Sequence, residues 1–269
     1  MDKVLRIAWY TVQDQLQRKS FYLLLAVSLL FVLFLRGCYD ASYTINHQQV
    51  NSIAVARHAS LFAFHLIAGG MLLMAVLISM SILPVDQNDG TMVLYLCRPI
   101  SRPQYVLGRL AGLWLLVSLF MFVLHATIML IAWQKTDAIL PGYLIASLIC
   151  SLNLFFAIGL TLLCSLIMPG FVAALATLAI IGFGFVSDGA IRLMSTPMAQ
   201  GVFQNKAAQE PAWWRLIYPK LSMVQHYGAT IISGDEFYTI GPVHPLVNVA
   251  VCCAIVVAIL LFVFGKKEI

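Results

Sequence analysis

Side chains able to do chemistry are few in this sequence, and they sit among long apolar runs. His65, His125 and Asn153 lie inside such runs, and Asp188 and Arg192 lie near the end of another. A polar or ionisable group inside a membrane is costly and by default a functional suspect, so these five form a candidate substrate pathway. Each also has a plainer reading, which is preferred. Asp188 and Arg192 are at i, i+4 and can neutralise one another on one helix face. His65 and His125 can stay neutral and hydrogen-bond between helices. Met71, Met74 and Met80, with His65, suggest soft-metal transport. Their spacing does not build one tight face, and methionine is ordinary core filler.

Catalytic signatures are missing. There is no GxxxxGK[ST] to cradle the phosphates of ATP, and no HExxH, GxSxG or kinase signature. The six cysteines, Cys38, Cys97, Cys150, Cys164, Cys252 and Cys253, include no CxxC. They read as small apolar packing residues, not as disulfides or zinc ligands. No catalytic role, metal or cofactor is therefore assigned to this chain.

The most informative stretch is polar and short, residues 84–108, which reads PVDQNDGTMVLYLCRPISRPQYVLG. Asp86 is a good N-cap, and Asp89 adds negative charge in a first turn. A short helix from there must stop near Arg98, because the residue before a proline disfavours the α region. Ser101 can cap a second helix, with Pro103 tolerated in its first turn.

The elements that must position these residues are membrane helices. The chain has 269 residues, 61% hydrophobic and only 10% charged, against roughly a quarter charged in soluble domains. Crossing a hydrocarbon core of about 30 Å takes about 20 mostly apolar residues. Six stretches qualify: Phe21–Cys38, Ser60–Leu83, Arg109–Trp133, Gly142–Met168, Phe171–Ile191 and Leu246–Gly265. Backbone groups in lipid must be satisfied within the segment, so these are helices. The short alternating segments of a β-barrel are missing. Pro169-Gly170 alone separates the fourth and fifth runs, which predicts a tight helical hairpin. Glycines at 69, 70, 112, 159, 182 and 184 are expected to allow close helix contacts.

Outside the spans, residues 1–20 carry an apolar stripe of Leu5, Ala8, Trp9, Val12 and Leu16 at helical spacing. This predicts an interfacial helix and not a cleavable signal peptide. Residues 39–59 are a polar loop. The segment 192–245 contains Trp213-Trp214-Arg215, which suits a membrane interface. It also holds an apolar stretch from Leu221 to Ile232, too short to span, which reads as an interfacial or re-entrant helix. No soluble domain is apparent, so 1–269 is read as a single transmembrane domain.

Six spans put both termini on one side. Lys3, Arg6, Arg18, Lys19, Arg98, Arg102, Arg109, Lys266 and Lys267 then share that side, which the positive-inside rule makes cytoplasmic. The other side's cations are spread mostly through two long segments. A net charge of +5 is explained by anionic lipid, with no nucleic-acid partner required.

At residues 84–108 the chain resembles the permease subunits of type-2 ABC exporters. Those commonly show an acidic residue, a Gly-Thr pair, a hydrophobic run, an Arg-Pro break, then Ser-Arg and Gly-Lys. The matching positions are Asp86, Asp89, Gly90-Thr91, Leu94, Leu96, Arg98-Pro99, Ser101-Arg102 and Gly108. Asp86 stands where glutamate is usual, and Arg109 where lysine is usual. The resemblance extends to the N-terminal helix, the six spans, external half-helices before the last span and the basic C-terminal end. It implies an all-α integral membrane permease in the inner (plasma) membrane, paired with a separate ABC ATPase that binds ATP and Mg. A second copy of the permease, or a paralogue, would complete a complex of two permeases and two ATPases. The helix in 86–98 would be the coupling helix, and its ATPase-facing residues would be Asp86, Asp89, Gly90, Thr91, Tyr95, Arg98, Pro99, Ser101 and Arg102. The competing readings are a membrane scaffold without transport and an intramembrane enzyme using His65, His125 or Asp188.

Overall fold

A computed structural model describes residues 2–17, 19–40, 44–45, 48–49, 52–90, 92, 97, 100–136, 142–194, 218–234, 237 and 243–266. Nine helices are described. They are α1 (Asp2–Gln17), α2 (Lys19–Asp40), α3 (Ser52–Ser79), α4 (Ile82–Asn88), α5 (Arg102–Thr136), α6 (Gly142–Ile167), α7 (Gly170–Met194), α8 (Leu221–Ser233) and α9 (Pro245–Lys266). Between α2 and α3, Thr44–Ile45 and Gln48–Gln49 pair as a two-residue antiparallel ladder. The chain is an all-α integral membrane protein.

Five helical stretches among the described residues are long and apolar enough to cross a membrane: His58–Asn88, Arg102–Gln134, Gly142–Ile167, Gly170–Ala190 and Pro245–Lys266. They coincide with the second to sixth runs expected from sequence. The first expected run falls inside α2, a 22-residue helix charged only at Lys19, Arg36 and Asp40.

Helix α6 is the hub, packing on α3, α4, α5, α7, α8 and α9. Its apolar window is 56% buried, against 28% for α7 and for α9. The burial follows from its small and polar residues. Ala146, Ser147, Asn153, Ala157 and Thr161 are buried, and small side chains let helices approach where lipid provides no hydrophobic drive. Large apolar residues on the outer helices, such as Phe171, Phe183, Val186, Val251 and Phe262, stay exposed. In lipid such exposure is the favourable state.

The hairpin at Pro169-Gly170 forms as expected, with α6 ending at Ile167 and α7 starting at Gly170. Its tightness has a specific cause. Pro84 has no N–H to donate to the Met80 carbonyl one turn earlier, and α3 breaks at Met80-Ser81 before α4 begins. The freed carbonyl lies against Gly170, where a Cβ would meet it at 2.5 Å.

One expectation is corrected. The sequence suggested a helix starting at Asp86. Asp86 instead lies in the last turn of α4, which continues the preceding span from Ile82 to Asn88. The helix stops because Gly90 has φ +66°, a conformation glycine adopts without penalty. The short segment around Leu221, read from the sequence as an interfacial or re-entrant helix, is a helix that ends at a left-handed Gly234, φ 74°, and it packs among the spans as a re-entrant helix does. Nine of its thirteen residues are buried, packed on α3, α6 and α7. The tryptophan pair, Trp213-Trp214, lies outside the described residues.

Candidate functional site

The charged cluster at the ends of α4 and α5 is built from three helices. Ser101 stands just before α5, and its N–H donates to Gln104 Oε1 at 3.1 Å, one half of a capping box. The expected start of α5 is therefore observed. One to two turns later, Tyr105 and Arg109 sit at i, i+4 and face α4. Arg109 Nη2 donates to Asp86 Oδ1 at 2.8 Å and lies 2.8 Å from Oδ2. The Tyr105 hydroxyl donates to Asp86 Oδ2. Arg109 Nη1 reaches Thr11 Oγ1 at 3.4 Å and Asp14 Oδ2 at 3.9 Å, both on α1. The guanidinium lies 5.7 Å from the centroid of the Tyr105 ring. Asp86 and Arg109 are each 4% exposed. A buried pair of this kind offsets its desolvation only when geometry is good and further hydrogen bonds are made. Tyr105 and Thr11 supply those bonds.

The C-terminal end of α9 joins the same cluster. The ring of Tyr105 stacks on Phe264 at 6.1 Å and 23°, and Arg102 Nη1 donates to the Gly265 carbonyl at 3.2 Å. Helix α1 is seated there by a GxxxG surface on α5. A Cβ on Gly108 would meet Ile7 Cβ at 2.6 Å, and one on Gly112 would meet the Ala8 carbonyl at 2.5 Å. Ile7, Thr11, Val12 and Gln15 are consequently buried, while Leu5, Trp9, Tyr10 and Leu16 are exposed. Helix α1 thus has a docked face and a separate apolar face.

Of the residues expected to face an ATPase, Asp86 is enclosed, Asp89 and Ser101 are exposed, and Gly90 and Arg102 are half-buried. Thr91, Tyr95, Arg98 and Pro99 lie outside the described residues. Sequence reasoning missed Thr11, Asp14 and Tyr105. Tyr105 carries a legible signal, being one helical turn before a charged residue at the start of an apolar run.

The candidate pathway residues do not form one cluster. His65 lines a cavity of about 380 Å³ with Gly69, Phe185, Gly189, Ser222 and Gln225, between α3, α7 and α8. Gln225 Nε2 donates to the His65 carbonyl at 2.9 Å. His125 is fully buried and stacks on Phe64 at 5.0 Å and 26°. Asn153 Nδ2 donates to the Leu221 carbonyl at 2.9 Å, pinning the start of α8 to the middle of α6. Asp188 is half-buried on α7, and Arg192 is on the same helix, its side chain outside the described set. Among the described residues no group of three His, Cys, Asp or Glu side chains could hold a metal ion.

A helical bundle of this kind, with a short helix buried among its spans and a polar cluster joining α1, α4, α5 and the end of α9, defines a multi-pass α-helical membrane protein. The chain belongs to the ABC-2 family transporter proteins, whose family model matches residues 5–269. It is the membrane permease component of an ABC transporter. A comparison with curated proteins finds no match.

Proposed function

We propose that this permease couples ATP hydrolysis by a separate ABC ATPase to export or extraction of a substrate, with residues 89–98, beyond the enclosed Asp86, as the contact. The observation that supports this reading is the Arg109 cluster. It joins α4 to α5 across the segment 89–101 and adds α1 and the end of α9. A push on that segment reaches two spans directly, and the cluster passes it to two further helices. Asp89 and Ser101 are exposed beside it and available to a partner. ATP and Mg belong to the ATPase, and a second permease copy or paralogue completes the complex. The chain ends are assigned to the cytoplasm of the inner (plasma) membrane, with six spans. The scaffold reading has no use for such linkage. The enzyme reading has one histidine in a cavity and the other stacked on Phe64.

Affinity purification of the tagged chain from its native membrane is expected to bring down a P-loop ATPase. The double reversal Asp89→Arg with Arg98→Asp should leave membrane insertion intact and lose that ATPase. Normal retention by the reversed protein sinks the coupling assignment.

A further inference from the structure

An apolar groove between α2 and α5, closed at one end by α1, plays no part in the reading above. Its volume is about 290 Å³. Val12 and Leu16 form the α1 end, residues from Phe21 to Val32 form one wall, and residues from Leu115 to Thr127 form the other. Among the described residues, the hydroxyls on the walls both donate within their own helices: Ser28 to the Leu25 carbonyl at 2.8 Å, and Thr127 to the Val123 carbonyl at 2.8 Å. The groove therefore offers no hydrogen bond and repels water. An apolar cavity of about 150 Å³ already binds benzene, and this one is larger and lies between helices immersed in lipid.

We propose that the groove holds one acyl chain of an anionic phospholipid from the leaflet on the α1 side. Length supports this. The α5 wall runs from Leu115 to Thr127, a rise of roughly 18 Å at 1.5 Å per residue, and one leaflet's share of a hydrocarbon core of about 30 Å is roughly 15 Å. Depth supports it as well. Helix α1 exposes Trp9 and Tyr10 beside Leu5 and Leu16, the residue mixture of a headgroup-level helix. The groove starts at that helix and runs inward. Charge sets the headgroup: the sequence places Arg18 and Lys19 between the lining residues Leu16 and Phe21, and juxtamembrane cations attract anionic lipid. The bound chain fills the gap between the first span and α5, and it braces α1 on the flank next to its contact with Gly108 and Gly112. The site does not depend on any ATPase partner.

The test uses the full chain in vesicles of phosphatidylglycerol and phosphatidylethanolamine in equal parts. A trace of phosphatidylglycerol carries a diazirine midway along one acyl chain. After illumination, label is expected on the groove walls, at 25–32 and 115–127, in excess over the lipid-facing α9 residues Val251, Ile255 and Phe262. Ser28→Trp fills the groove and should lower groove labelling about tenfold, equivalent to roughly 1.4 kcal/mol of binding. Ile255→Trp should leave it unchanged. The same probe on a phosphatidylcholine headgroup should label the groove less than the anionic one. Labelling of the groove no greater than that of α9 overturns the site. Equal labelling by both headgroups overturns the anionic assignment. Efficient disulfide cross-linking of two Leu29→Cys copies would make the groove an interface between copies and overturn the lipid.

Discussion

Arg109 is the residue on which three helices converge, and its neighbours set the cost of removing it. Asp86 receives both guanidinium contacts of 2.8 Å and the Tyr105 hydroxyl. Truncating one member of a buried pair leaves an uncompensated charge, at about 3–5 kcal/mol, while replacing both by apolar residues of similar volume is often neutral. Asp86→Leu alone should therefore lower the thermal midpoint in detergent far more than Asp86→Leu with Arg109→Met. Tyr105→Phe, which loses one hydrogen bond, should cost about 1 kcal/mol. Strictly additive single and double effects would show that the pair is not coupled. The two charges were legible in the sequence as lone ionisable residues at the edges of apolar runs. Their pairing was not, because Asp86 and Arg109 are 23 residues apart and Thr11 and Arg109 are 98 apart. Periodicity reports faces of one helix, not which helices meet.

At the scale of elements, apolar periodicity located the helices but did not reveal every packed face. The stripe Leu5, Ala8, Trp9, Val12, Leu16 was expected to lie down on the membrane. In the fold Leu5 and Trp9 are 64% and 60% exposed, while Ile7, Thr11 and Gln15 are buried on a second face that the stripe did not announce. Hydropathy cannot separate a lipid-facing stripe from a packed one, since lipid is as apolar as a protein core. Small residues do mark close approach, though only in part. Of the glycines singled out from sequence, Gly112, Gly159 and Gly184 lie against a neighbour, while at Gly69, Gly70 and Gly182 a Cβ would meet nothing within 4 Å among the described residues. Gly112→Leu should thus unseat α1. Overpacking costs about 1–3 kcal/mol, and for a locally opening helix this is about a 5- to 150-fold rise in amide exchange. Hydrogen–deuterium exchange should show that rise across residues 4–16 with α6 unchanged. An α1 that stays protected would mean that the glycine contact does not seat it.

At the scale of the whole molecule, the six crossings proposed above are supported by which helix ends meet. Helix α1 sits on Gly108 and Gly112 near the start of α5. The end of α9 reaches the same place, where Phe264 stacks on Tyr105 and Arg102 holds the Gly265 carbonyl. Helix α1 and the end of α9 therefore lie at one end of the bundle, which fits the even number of crossings proposed above. Five spans are evident. Helix α4 also ends at this cluster, through Asp86, so α3 begins at the opposite end. In the six-span proposal the chain crosses between α1 and α3, and α2 is the helix between them. Its 22 residues give roughly 33 Å at 1.5 Å per residue, enough for a core of about 30 Å. Helix α8 cannot be the missing crossing. Its start is pinned at Asn153 and its Ile231 lies against Gly142, so it occupies only the stretch of α6 between them, about 16 Å. In a cysteine-free background, a membrane-impermeant maleimide added to intact cells should label Gln204→Cys and spare Ser101→Cys. Inverted vesicles should give the reverse pattern, and cysteines at Lys3 and Lys267 should behave like the one at 101. If the cysteines at positions 3 and 267 label from opposite sides, the number of crossings is odd and α2 does not span.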